Sequence, residues 1–279
     1  MTKILVTGAS GFIGKHLVPQ LRGAGYDVIE VNSCNGDVAD ESTWNNFTSA
    51  ELVIHLAGKS FVPDSWSNPT QYVRCNLLGT VQALNYCSTH KARLIYVSSY
   101  LYGNPSELPI PETAPVIANN PYAFSKKLAE DACCYFSEAY GIGVTILRPF
   151  NVYGPGQSNN FLIPQIIRQV NQSTAITVKD LEPKRDYIYV SDLANAIIKS
   201  LTITNKFDII NIGSGVSYSV EEIIRIIQEI KGTSLPVYSA LERRRDEVMD
   251  TVADIRKAQT LLRWLPNTSL KNGIKLLLQ

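Results

Sequence analysis

Neither sign of charge dominates this chain: 26 Lys and Arg stand against 25 Asp and Glu over 279 residues, a formal net charge of +1. So even a balance gives no electrostatic footprint for DNA, RNA or an anionic membrane surface. Cysteine is sparse. The five residues (Cys34, Cys75, Cys87, Cys133, Cys134) are an odd number with no C-x-x-C spacing, which implies neither a disulfide framework nor a zinc knuckle. The three histidines, His16, His55 and His90, lie far apart without ligand spacing, so no metal site is expected. Long apolar runs are missing too, and no stretch approaches the roughly 18 residues of a membrane span. The N-terminal apolar run breaks at Gly8 after a single early Lys, which does not read as a signal peptide. These absences predict a soluble, reduced, cytoplasmic protein that binds neither nucleic acid nor membrane. What is present, 45% hydrophobic and 18% charged residues, is ordinary for a folded enzyme and too apolar for a disordered chain.

Lys3–Thr7 (KILVT) is a short apolar run that passes straight into glycines, as a buried parallel strand does. Helical rhythm follows from Gly11 to about Gly23, with Pro19 inside it predicting a kink at most. Further strands are expected at Asp27–Val31, Glu51–His55, Ala92–Val97 and Gly143–Leu147, separated by helical patterns such as Gln71–Ser88 and Tyr122–Tyr140. Strand and helix alternating at this spacing predict a parallel sheet covered on both faces. After Pro149 the pattern turns to Gly/Pro/Asn loops with short helices (Leu162–Asn171, Val220–Lys231) and a strand at Phe207–Ile212. The expectation is a main unit over residues 1–150 and a smaller lobe over 151–279, with about 185–212 returning to the main unit. Asp192 reads as a helix N-cap rather than a catalyst.

Three patches carry chemistry. Thr7-Gly8-Ala9-Ser10-Gly11-Phe12-Ile13-Gly14 places G-x-x-G-x-x-G between the first strand and the first helix. There, backbone N–H groups and the helix N-terminus suit a dinucleotide pyrophosphate, although a tight turn can need glycine for its own sake. The second strand ends at Asn32-Ser33, where an acidic residue would select NAD(H). Its absence favours NADP(H) and leaves NAD(H) open, while Asp37 is near enough to reach the adenine or its ribose. Tyr122 and Lys126 share a helix face at i and i+4, so the ammonium can lower the phenol pKa. Asn120-Pro121 reads as the cap and first residue of that helix. With 14 tyrosines such a pair arises readily by chance. It gains weight from Ser98, just past the fourth strand, where open sheets bind ligands. Ser98 and Ser99 also fit plain loop hydroxyls.

At TGASGFIG (7–14), HLAGKSFVPDSW (55–66), NLLGT (76–80), VSSYLYG (97–103), YAFSK (122–126), RPFNVYGPGQ (148–157), KRDYIYVSDL (184–193) and RRRDE (243–247), the chain resembles an extended short-chain dehydrogenase/reductase of the nucleotide-sugar epimerase, dehydratase and reductase family. The resemblance implies a Rossmann-type, doubly wound parallel α/β sheet with a smaller C-terminal α/β substrate-binding lobe. It implies Ser98, Tyr122 and Lys126 as catalytic set. It assigns the cofactor to Gly8, Ser10, Gly11, Phe12, Ile13, Gly14, Asn32, Ser33, Asp37, Val38, Leu56, Ala57, Gly58 and Pro149, besides Tyr122 and Lys126. The nucleotide sugar falls to Ser60, Ser98, Asn151, Phe161, Arg185 and Arg244, the two arginines matching a diphosphate clamp. Without the resemblance, Arg185-Asp186 reads as a local ion pair and Arg243–Arg245 as a solvated charge run.

Departures from the family pattern narrow the reaction. Where the 4,6-dehydratases carry an acidic residue two positions past the catalytic Ser/Thr, this chain has Tyr100. Asn32–Ala50 is short and lacks the acidic residue typical of NAD-retaining epimerases. Both features resemble the 4-keto-sugar reductases, and HLAGKSFVPDSW (55–66) and LEPKRDYIYVSDL (181–193) resemble above all those acting on GDP-4-keto-6-deoxymannose, with dTDP and UDP sugars open. The expected activity is reduction of a C4 ketone on a nucleotide-linked 6-deoxyhexose. A 4-epimerase with bound NAD is the alternative, and a catalytically silent NAD(P)-sensing protein a remote one. The family also implies a homodimer through the Gln71–Ser88 and Tyr122–Tyr140 helices.

Overall fold

The computed structural model describes residues 1–242 and 247–279. Its first half contains β1 (Lys3–Thr7), α1 (Phe12–Gly23), β2 (Asp27–Val31), α2 (Glu41–Trp44), β3 (Leu52–His55), α3 (Val62–Ser67), α4 (Pro69–Tyr72), α5 (Gly79–His90), β4 (Arg93–Val97), α6 (Pro121–Tyr140) and β5 (Val144–Pro149). The second half adds β6 (Asn151–Tyr153), α7 (Leu162–Gln172), β7 (Ile176–Val178), β8 (Lys184–Tyr189), α8 (Val190–Ser200), β9 (Phe207–Ile212), β10 (Ser217–Ser219), α9 (Val220–Lys231), β11 (Val237–Ser239), α10 (Arg256–Leu262) and α11 (Leu270–Leu277).

The main sheet runs β2-β1-β3-β4-β5-β9, every pair parallel. Alternate residues of β1 show why both its faces are apolar. Ile4 and Val6 join Leu17, Val18 and Leu21 of α1 and Ile197 of α8 in one core. Leu5 joins Ala83 and Leu84 of α5 with Ala129 and Cys133 of α6 in the other. Helices therefore cover both sides of a Rossmann-like, doubly wound sheet. Pro19 lies inside α1 without ending it. Among the described residues, no helix is long and apolar enough to cross a membrane.

The smaller lobe builds its own core from α7, α9 and α11 around Tyr187 and Tyr189 of β8. β8 pairs with β6 and β10 in a three-stranded sheet, so the return to the main sheet begins after residue 189 rather than at 185. β8 is a seam: Ile188, between the two tyrosines, packs into the main core. The helix expected over Gln71–Ser88 is also divided, because π-helix from Val73 to Leu78 separates α4 from α5. Such a stretch changes which residues share a face. Here it accompanies a buried Asn76 whose side chain is tied down on two sides.

Candidate active site

The glycine turn is shaped by backbone approaching backbone. Gly8 has φ +67, and a Cβ there would lie 2.9 Å from Ala57 N. A Cβ on Gly14 would lie 2.4 Å from both Gly8 O and Ala9 O, so α1 packs on the turn only as glycine allows. Thr7 Oγ1 accepts from Ala57 N at 3.2 Å and shares a 2.8 Å hydrogen bond with His55 Nδ1, fastening the ends of β1 and β3 together. Burial, and then the nearby Lys126 charge, push His55 down to about 3. Helix α1 starts at Gly11 with no side-chain cap and no acidic residue in its first turn. Its leading N–H groups therefore suit an anion, and the donor set fits a dinucleotide pyrophosphate. Phe12 and Ile13 contribute backbone there, while their side chains turn to His16 and to the core.

Beyond β2, Asn32 Oδ1 accepts from Ser10 N at 2.7 Å, so the residue expected to meet the ribose also braces the turn. Ser33 opens a single helical turn to Asn35 and is exposed. Asp37 is already engaged: Oδ1 accepts from Ala39 N at 2.9 Å and Oδ2 from Arg74 Nε at 3.1 Å. These contacts, the Ala39 N–H first, lower its pKa, so the residue expected to reach the adenine or its ribose carries an ion pair with Arg74. Val38 is buried; its carbonyl accepts from Trp44 Nε1 at 2.9 Å. Leu56 and Ala57 are half-buried at the end of β3, and Gly58 and Ser60 are exposed in the following loop.

Helix α6 carries the expected proton-transfer pair, Tyr122 and Lys126. Asn120 caps it, accepting from Ala123 N at 2.9 Å, and Pro121 takes the first position. Two turns in, buried Glu130 receives Arg148 Nε at 3.0 Å and Nη2 at 2.6 Å, which clamps the helix to β5. Lys126 is 5% exposed; its Nζ donates to Val97 O at 3.0 Å and lies 4.8 Å from the Tyr96 ring centre. Burial drives its pKa down to about 8. A Cβ on Gly58 would come within 3.5 Å of that Nζ. Tyr122 lies edge-on to Tyr72, centroids 6.3 Å apart. Burial pushes its phenol up to about 12, countered in part by a hydrogen bond with Ser99. The expected lowering by Lys126 therefore does not set this phenol, since the ammonium is committed to Val97 O. Ser98 is 5% exposed and its Oγ has no hydrogen-bond partner among the described residues. An orphaned hydroxyl at a strand end is an opening for a ligand oxygen.

Asn76 links the loop after β3 to α6. Its Oδ1 accepts from Lys59 N at 2.8 Å, and its Nδ2 donates to Ser125 Oγ at 2.9 Å. The NLLGT run pointed to this segment without giving the residue its bracing role. Tyr72 and Ser99, which flank Tyr122, had no sequence signal beyond their neighbours.

Across the cleft, Asn151 Oδ1 accepts from Tyr100 OH at 3.2 Å and its Nδ2 donates to Asp186 O at 3.0 Å. Pro149 is buried, its carbonyl accepting from Tyr100 N at 3.2 Å. Arg185 is half-buried and ion-paired with Glu247, and its Nη1 donates to Val248 O at 2.6 Å. It thus neither pairs with Asp186 nor stands open: Asp186 accepts instead from Ser214 N, Gly215 N and Ala253 N. Glu247 was absent from the expected site, since nothing in RRRDE singles it out. Phe161 packs edge-on against Phe61, centroids 5.7 Å apart, bringing the segment before α7 against the loop after β3. Asp192 lies in the first turn of α8 rather than at its cap, and accepts from Thr268 N at 2.9 Å. Arg244 lies outside the described residues.

Known proteins share this architecture. GDP-6-deoxy-D-mannose reductase of Pseudomonas aeruginosa is 32% identical, over 99% of this chain and 96% of that protein. A crystal structure of UDP-glucose 4-epimerase with UDP-glucose from Thermotoga maritima superimposes with a TM-score of 0.92 at 29% identity, covering 99% of this chain and 97% of that one. The structure of RMD from Pseudomonas aeruginosa complexed with NADPH gives 0.90 at 29% identity, covering 100% and 98%. Residues 4–213 match the NAD dependent epimerase/dehydratase family, and with the glycine turn, Ser98 and the Tyr122/Lys126 pair in place, the chain belongs to that family.

Proposed function

We propose that this NAD(P)-dependent, nucleotide-sugar-modifying protein is a reductase, acting on the C4 ketone of a nucleotide-linked 4-keto-6-deoxyhexose with NADP(H) as reductant. The observation that carries the reading is the buried Ser98 Oγ at the end of β4, unpartnered among the described residues, with Tyr122 and Lys126 on one face of α6 and the Lys126 ammonium anchored on Val97 O, the residue before that serine. A reductase begins with a proton to give, whereas an epimerase begins by taking one from a sugar hydroxyl. Tyr100 weighs separately against a dehydratase, because no carboxylate occupies its position to assist loss of water.

When bound, the reduced nicotinamide supplies hydride to the ketone carbon. Ser98 Oγ donates to the ketone oxygen and fixes it. Tyr122 passes its proton to that oxygen as negative charge builds there. Lys126, held on Val97 O and charged below about pH 8, would fix the nicotinamide ribose. Asn151 and Arg185 hold the sugar nucleotide, Arg185 by exchanging Glu247 for diphosphate oxygens. Correct placement of the reacting atoms accounts for a large share of such a rate. NADP(H) follows from the edge of β2, where Asn32, Ser33, Cys34 and Asn35 bring no negative charge toward a 2′-phosphate.

The test is NADPH and NADH oxidation with GDP-, dTDP- and UDP-4-keto-6-deoxyhexoses, with NMR of the product. Consumption of reductant with one of them supports the reading. The second reading, a 4-epimerase, is favoured by the superposition on UDP-glucose 4-epimerase. It requires the protein to purify with bound nicotinamide and to interconvert a nucleotide sugar without added reductant. We also propose a homodimer through α5 and α6, where Phe124 and Tyr135 are exposed while Leu84 and Cys133 are spent in the core. Light scattering at twice the chain mass supports it.

A further inference from the structure

Tyr100 carries a hydroxyl that neither the core nor the proton transfer uses. Its N–H is fixed to Pro149 O, and its ring stacks on Phe150 with centroids 4.9 Å apart at 15°. Its hydroxyl reaches Asn151 Oδ1 at 3.2 Å, long for an O–H donor. Asn151 is itself anchored at its other end, on Asp186 O, and Asp186 is buried and holds three backbone N–H groups. The chain of bonds is therefore firm at Asp186 and weakest at the phenol. Tyr100 is half-exposed although its neighbours Ser98 and Phe150 are buried. Through Asn151, held on Asp186 O, the phenol is linked to β8, the strand that carries Arg185, the cation assigned to the diphosphate.

Resting on the nucleotide-sugar reading above, we propose that Tyr100 is a specificity-determining residue whose hydroxyl holds a hydroxyl group of the hexose, sharing or surrendering its bond to Asn151. A phenol both donates and accepts one hydrogen bond, as a sugar hydroxyl does, and its neutral form removes no proton. The Phe150 stack pre-orients it, so little torsional freedom is lost on binding. The sugar therefore gains one neutral hydrogen bond at a place where the diphosphate gains nothing.

Tyr100→Phe keeps the stack and the backbone bond and removes that hydroxyl alone. Calorimetric titration compares wild type and variant with GDP-mannose, dTDP-glucose and UDP-glucose, and with GDP, dTDP and UDP. The expected result is a loss of about three- to tenfold in affinity for the nucleotide sugar that the wild type binds. Affinity for the matching nucleoside diphosphate stays within about twofold. Equal weakening of both ligands would show that Tyr100 only braces Asn151 and Arg185, and would overturn the proposal. So would an unchanged affinity for the sugar nucleotide. A wild type that binds none of the six compounds sinks the nucleotide-sugar reading itself, and this proposal with it, before the variant is considered. A thermal midpoint within about 2 °C of wild type confirms that the variant is folded.

Discussion

The two walls of the cleft are built by different means. The wall at the ends of β1 and β3 is backbone: glycines too crowded for a Cβ, an uncapped helix start, and Thr7 and His55 stitching the strand ends. The facing wall is side chain against side chain, with Arg185 on Glu247, Tyr100 on Asn151 and Phe161 on Phe61. Backbone geometry presents its donors before a ligand arrives. A wall of mutually satisfied side chains must exchange partners when one does, so its affinity is a difference between old and new contacts. On the proposed reading the cofactor side is preformed backbone, and the sugar side, where side chains must exchange partners, is where selectivity would be set.

Tyr122→Phe tests whether the walls work separately, and has the largest expected effect. Turnover of the 4-keto substrate should fall at least about a hundredfold, the usual scale for losing a positioned proton donor. Cofactor affinity, read by fluorescence titration, should stay within about twofold. Retained turnover would remove Tyr122 as the donor, and lost cofactor binding would mean that the walls are not independent.

Next comes Asn32→Asp, which keeps the oxygen that accepts from Ser10 N and adds a charge beside the ribose. The ratio of kcat/KM for NADPH to that for NADH should drop by about tenfold or more, because like charges brought together are costly. An unchanged ratio would place the 2′-position elsewhere. Smaller again is Arg185→Lys on the opposite wall. A lysine loses the planar fork, so KM for the nucleotide sugar should rise about five- to tenfold while cofactor affinity stays put. If KM holds and stability alone falls, the Glu247 pair is purely structural.

The contrast between the walls also decides what could be read from the amino-acid string. β1, β2, β9 and α9 fall where apolar rhythm and punctuation put them, and Asn120-Pro121 starts α6 as its cap chemistry demands. These are local effects, complete within a few residues. The glycine turn was visible for the same reason. Asp37 on Arg74, Tyr100 on Asn151 and Arg185 on Glu247 join residues 37, 51 and 62 positions apart, and residue type alone does not choose among so many possible partners. The π-helical stretch escaped because one extra residue per turn shifts the side-chain rhythm only slightly. The acidity of Tyr122 was misjudged because burial, the dominant influence, is a property of the packed site.

Lys126 gives the smallest effect and the one that probes the preformed wall without any ligand. Its ammonium is buried and held by Val97 O, and burial lowers its pKa from 10.5 to about 8. In the unfolded chain the lysine keeps its proton up to about pH 10.4. Between these values the unfolded state binds more protons, so the stability of the fold rises with pH. Below about pH 8 both states are charged and the burial cost is present in full. A Lys126→Met variant has no such titration. From pH 8 to 9.5, below the range where Tyr122 begins to ionise, the wild-type thermal midpoint should climb relative to the variant by a few degrees, for about 1–2 kcal/mol. Parallel midpoints across that range would mean that the ammonium reaches water in the free protein, and that this corner of the rigid wall forms only when a ligand closes it.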